Sequence, residues 1–245
     1  MRQHGQKSKQ PSTYDGHLIK NASGGTWADA IAASAASSAN NSATTMQCMA
    51  RKNSSNWQIA RPYLNWDLSD IGIPRRNLRI VSAKIVLRCT NRSVADTNGD
   101  IIKLFKANVD HDGSGSDLAT ADFDQYNTTI KSTSEVQVSS TGNVDVPIDG
   151  VLMSWLRNRL RAGGELSVFL LNKLDYAAAS LSDPAGLNRL LLASADHGTS
   201  AFRPKIVIKY MNKRHQRSRM KGGSCGGFGE LHIPSSGMSG FSGER

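Results

Sequence analysis

Few features of this sequence bind, cut or anchor anything in an obvious way. It holds only three cysteines, Cys48, Cys89 and Cys225, far apart and without a CxxC pair. So sparse and odd a count argues against a disulfide scaffold or a zinc centre and fits synthesis in a reducing compartment. No window approaches 18 consecutive apolar residues, so no membrane-spanning helix is expected. Met1 to Gln10 lacks an apolar h-region, so no secretory signal is expected there. The Asn-x-Ser/Thr triplets at Asn53, Asn91 and Asn127 then read as chance in a chain rich in those residues. Catalytic signatures are missing too: no G-x-S-x-G, no P-loop, no HExxH. The six histidines, His4, His17, His111, His197, His215 and His232, are scattered, and no enzyme is expected.

Acid is what the two ends lack. Arg2, Lys7 and Lys9 stand without a carboxylate in residues 1–10, as do Lys209, Lys213, Arg214, Arg217, Arg219 and Lys221 near the other end. Those nine cations carry most of the net charge of +10 and leave the middle nearly neutral. A polyanionic or acidic partner should therefore meet the ends. Apolar residues make up only 38% of the chain, but they are concentrated in the middle, which points to a folded centre with polar ends.

The centre has the period of strands. Val81, Ala83, Ile85, Leu87 and Cys89 alternate with Ser82, Lys84, Val86 and Arg88. Leu64, Trp66 and Leu68 repeat the pattern, as do Val144, Val146 and Ile148, and Ile206, Ile208 and Tyr210. Period two means one buried and one wet face. The runs at 101–109, 165–172 and 188–194 are more continuously apolar, as befits strands between two layers. Seven or eight such runs, separated by turn-rich links at Asp96–Asp100, Asp110–Asp117 and Leu181–Gly186, predict an all-β fold. The expected form is an antiparallel, jelly-roll-like β-sandwich over 27–210, with an N-terminal arm over 1–26 and a basic, Gly/Ser-rich tail over 211–245.

One amphipathic helix interrupts the strands, with Val151, Leu152, Trp155, Leu156 and Leu160 at helical spacing. Asp149 is its expected cap and Gly163-Gly164 its stop, with Trp155 plugging the core. The Ala- and Ser-rich stretch 28–45 permits a short helix followed by a loop.

Two sites stand out. Asp110, Asp112, Ser114 and Asp117 open like a calcium loop, since hard cations need several oxygens close together. However, the twelfth position is Ala121 where a bidentate Glu belongs, so an ordinary turn competes with calcium. The cations Lys209, Lys213, Arg214, Arg217, Arg219 and Lys221 form the second, suited to an acidic neighbouring protein or, through the tail, to nucleic-acid phosphates. A solvated tail is the plain alternative. Trp27, Trp57, Trp66 and Tyr63 would stack on sugars if exposed, although alternation puts Trp66 on an apolar face with Leu64 and Leu68.

Three segments in order carry a family resemblance. Ile59-Ala60-Arg61-Pro62-Tyr63-Leu64-Asn65-Trp66-Asp67-Leu68-Ser69, then Ile73-Pro74 and Val81-Ser82-Ala83-Lys84-Ile85-Val86-Leu87, is similar to the opening run of the carbohydrate-binding-module-like sandwiches called DNRLRE-type. Asp145–Trp155 resembles that family's strand-to-helix passage, and Arg203-Pro204-Lys205-Ile206-Val207-Ile208-Lys209-Tyr210 its closing strand. Asn65-Trp66 departs from the family, which has small residues or Phe there. The resemblance covers roughly 50–210 and implies a structural or adhesive role. With no secretion signal and basic ends, it points to the tailed-phage members. The expectation is thus a virion structural protein, made in the host cytoplasm. It would be a capsid decoration or head–tail accessory subunit, homo-oligomeric, touching other virion proteins and no membrane. A glycan-binding adhesive module is the alternative.

Overall fold

The computed structural model describes residues 2–11, 15–73, 78–109 and 118–213. Among the described residues thirteen strands follow one another: β1 Arg2–Lys9, β2 Gly16–Ser23, β3 Ser38–Asn40, β4 Thr45–Asn53, β5 Asn56–Asp67, β6 Leu78–Val94, β7 Ile101–Ala107, β8 Tyr126–Lys131, β9 Val136–Gln137, β10 Gly142–Ile148, β11 Glu165–Asn172, β12 Leu187–Ala193 and β13 Lys205–Lys213. Three helices join them: α1 Trp27–Ile31, α2 Gly150–Ala162 and α3 Lys173–Tyr176. All strand pairs are antiparallel, along the path β1-β13-β6-β12-β4-β5-β11-β7-β8. The protein is all-β and sandwich-like; α2 is the expected helix, α1 falls at the start of the stretch that permits a short one, and α3 is additional.

Two long strands turn this single ladder into layers. In β6, Val86 lies between Lys205 of β13 and Asp145 of β10, and Cys89 lies between Leu192 of β12 and Gly142 of β10. Thus β12 takes over from β13 along one edge of β6. In β5, Tyr63 lies between Gly16 of β2 and Phe169 of β11, so β11 likewise takes over from β4. A strand that changes partners along its length carries the sheet round a corner.

The sandwich interior follows from the alternation. Leu64 and Trp66 of β5, Leu68 just after it, and Leu166, Val168 and Leu170 of β11 share one buried cluster with Ala83, Ile85 and Leu87 of β6 and Ile206 and Ile208 of β13. Val144, Val146 and Ile148 of β10 join it, as do Leu152, Leu156 and Leu160 of α2. Trp66 is fully buried, as its neighbours in the pattern predict. Burying each such side chain contributes about 1.5–3 kcal/mol.

The opposite faces of β5, β11 and β7 are apolar too. Tyr63, Phe169, Leu171 and Phe105 form a second cluster with Leu18 of β2, Trp27 and Ala30 of α1, and Leu174 of α3. At its centre is Arg61, with no exposed surface. Its Nε and Nη2 donate to the two Asp175 carboxylate oxygens, each at 2.7 Å, and its Nη1 donates to the Phe123 carbonyl at 2.8 Å. The guanidinium stacks 4.0 Å from the Phe123 ring centre and 4.8 Å from that of Tyr126. Burial, the largest single influence, lowers the Arg61 pKa, but the charge and hydrogen bonds of Asp175, with smaller contributions from Tyr126 and Asp124, together leave it raised.

Several expectations are corrected. Residues 2–9 and 16–23 are not an arm: they are strands of the sheet, and one compact unit spans Met1–Arg214. The polar sequence of β1 hides it because main-chain ladders need no apolar side chain. Gly5 instead lies directly opposite Tyr210, and a Cβ there would come within 2.6 Å of that ring. Val81 does not face inward. The pairing of β6 with β13 slips between Lys209 and Tyr210, so Ile80 turns in and Val81 is left 52% exposed. Asp149 stands at the start of α2 but makes no cap bond. Its carboxylate accepts instead from the main-chain N–H of Thr133 at 2.6 Å and from Ser134. Gly150, at φ +54°, fits beneath that clamp where a Cβ would meet Thr133 Oγ1 at 2.2 Å. Gly163, at φ +73°, ends α2 as expected. Trp155 is half-buried, packed on the interior at one side with the Arg159 and Lys106 cations 5.3 and 5.7 Å from its ring.

Candidate interaction surface

The layer β1-β13-β6-β10 has one face in the sandwich interior, and no element among the described residues covers the other. Alternation places Lys205, Val207 and Lys209 of β13 on this face, Val207 itself buried, with Ser82, Lys84, Val86 and Arg88 of β6 and Asn143, Asp145 and Pro147 of β10. Register sets them in rows. Gln6, Lys209 and Ser82 cross the sheet together; so do Ser8, Val207, Lys84 and Pro147; so do Lys205, Val86 and Asp145. Lys84 is therefore diagonal to both Lys205 and Lys209, a spacing of about 7–8 Å. Four cations face one carboxylate, and that one, Asp145, is paired with Lys84. Arg88 lies over the Phe202 ring at 4.7 Å.

The relief is shallow. A groove of about 440 Å³ runs from Gln6 past Lys209, Lys205 and Lys84 to Asn143 and Asp145. Another of about 320 Å³ lies at the β1 side, bounded by Gly5, Gln6, Val81, Lys209 and Tyr210. Lysines projecting from a flat sheet present diffuse positive charge, which suits an extended polyanion or an acidic protein better than a small ligand.

The sequence-predicted residues fare unevenly. Lys209 is exposed on this face, and Lys213 ends β13 opposite Arg2. Arg214, Arg217, Arg219 and Lys221 lie outside the described residues, as do Asp110, Asp112, Ser114 and Asp117 of the calcium candidate. Among the described residues, no group of three or more His, Cys, Asp or Glu is placed to hold a metal ion. Trp27, Trp57, Trp66 and Tyr63 are all buried and form no sugar platform. Lys84, Lys205 and Arg88 were missed as site residues. Their alternation was visible, but nothing in sequence put β6 beside β13.

Two buried titratable groups lie away from this face. Asp15 accepts from the Ala195 N–H at 2.6 Å through Oδ2, and its Oδ1 has no partner among the described residues. Burial, with a smaller contribution from Asp196, raises its pKa to about 7. His17 is buried with Nδ1 unpartnered, and burial lowers its pKa to about 4. Cys48 and Cys89 are free, buried thiols whose pKa burial raises.

No protein-family model matches this chain, and no match to it was found among curated proteins. No helix among the described residues is long and apolar enough to cross a membrane.

Proposed function

We propose that this is a non-catalytic structural protein of a tailed-phage virion, a capsid decoration or head–tail accessory subunit that attaches to neighbouring acidic protein surfaces. The observation that supports this reading best is the basic face of the β13-β6-β10 layer, uncovered among the described residues, with Lys84 diagonal to both Lys205 and Lys209 and a buried apolar cluster behind it. Such a face adds contact area without requiring the body to deform, and repetition over a lattice turns weak single contacts into avidity. The three DNRLRE-like segments supply the virion part of the proposal. The sequence that follows β13 is basic as well, with Arg214, Arg217, Arg219 and Lys221 and no acid up to Lys221.

The test is direct. Quantitative mass spectrometry of purified particles should find the protein at a fixed copy number matching a structural lattice, and adding it to particles emptied of it should raise their melting temperature. Absence from particles would overturn the reading. Binding to a glycan array in its place would favour the adhesive alternative.

A further inference from the structure

We propose that the outer edge of β1 accepts an extended, acidic segment of a partner protein, which joins the sheet as one more strand. This rests on reading the β1-β13 side as the attachment surface, and adds the edge used, the partner's conformation and its charge.

The edge is open. β1 pairs with β13 along one side, and no strand among the described residues pairs with the other. Its far end is closed by Trp66, whose Nε1 donates to the Lys9 carbonyl at 3.2 Å. In an antiparallel strand the N–H and C=O of one residue point to the same side, and alternate residues point alike. The outward Lys9 carbonyl therefore sets the main-chain groups of Lys7, Gly5 and Gln3 outward as well. Three consecutive ladder positions are ready for a partner.

Charge decides which partner. The sequences of β1 and β13 hold Arg2, Lys7, Lys9, Lys205, Lys209 and Lys213 and no acid; Lys9 is paired with Asp70, which leaves the positive charge toward the Lys7 end of the edge. A second copy of β1 laid alongside would set cations against cations, which destabilises a strand pair. An acidic segment gains where the copy loses. Beside the edge, the 320 Å³ hollow at Gly5, Val81 and Tyr210 offers room for one apolar side chain, with Val81 exposed by the bulge. Main-chain bonds then supply affinity, and the hollow and lysines supply selection.

The experiment titrates the full chain with two labelled nine-residue peptides, followed by fluorescence anisotropy. One alternates Glu and Val around a central Phe; the other has Lys at every Glu. The acidic peptide should bind at least tenfold more tightly. Lys7→Pro removes an outward N–H and leaves the ladder to β13 intact, since edge strands tolerate proline there. It should weaken the acidic peptide at least tenfold with an unchanged far-ultraviolet spectrum. In the unaltered chain, amide exchange at Gly5 and Lys7 should slow on binding. Equal affinity for both peptides, no binding of the acidic one, or binding without protection at Gly5 and Lys7 would each overturn this inference. The particle assay judges the assembly reading separately: particle association with unprotected β1 amides leaves that reading standing and sinks the edge.

Discussion

The layer β5-β11-β7 is covered on both faces, whereas β13-β6-β10 is covered on one. The first is mostly apolar on both faces, with Trp66 and Val168 looking into the sandwich and Tyr63 and Phe169 looking the other way, and its polar side chains Arg61, Asn65 and Ser167 are buried. The second keeps Ile206, Ile85 and Val146 inside and turns Lys205, Lys84 and Asp145 to water. The difference separates two duties. Doubly covered strands fix the body, and a singly covered layer is free to carry charge that costs little stability.

The largest expected effect lies in the covered layer. Arg61→Ala leaves the Asp175 carboxylate buried and unpaired, and urea unfolding should show a loss of roughly 3–5 kcal/mol. Replacing both partners with apolar residues should recover much of that loss, because the pair offsets its own desolvation rather than adding surplus stability. A loss below 1 kcal/mol for Arg61→Ala would mean that the second cluster does not depend on the pair. Trp66→Ala, in the interior both layers share, should cost about 3–5 kcal/mol through the cavity it leaves.

The next effect is a slope with pH. Folded Asp15 holds its proton up to about pH 7, while the unfolded chain releases it near the ordinary 3.8. Across that window the folded state binds more protons, so this group makes stability fall as pH rises. His17 does the reverse: unfolded it holds a proton up to about 6.5, folded only up to about 4, so it makes stability rise between those values. The two cancel from about pH 4 to 6.5. Asp15→Asn should uncover a rise, and His17→Gln a fall, each approaching ~1.4 kcal/mol per pH unit. Parallel pH profiles for both variants would contradict the assignment.

The smallest stability effect belongs to the open face. Lys205→Glu and Lys209→Glu should each change unfolding free energy by no more than about 0.5 kcal/mol. Thermal melts check this, and a larger loss would make the face part of the body.

How much of this was legible depended on which force holds each element. Strands held by side-chain burial announced themselves: Leu64, Trp66 and Leu68, or Val144, Val146 and Ile148, alternate because one face is dry. β1 was invisible because main-chain pairing holds it, and its one telling residue, Gly5, matters only once Tyr210 is known to lie opposite. Val81 was misplaced because a bulge shifts the phase by one residue, a change no local pattern records. Nothing local in the sequence marked Arg61 as buried, because its partner, Asp175, stands 114 positions away. The interaction face was half legible: Lys205 and Lys209 share a period, but Lys84 joins them only through pairing.

The proposed role turns on whether attachment runs through the open basic face. Full-length protein carrying Lys205→Glu and Lys209→Glu should lose co-sedimentation with emptied virus particles while melting within a few degrees of the parent. Undiminished co-sedimentation would contradict the account and move attachment elsewhere on the chain.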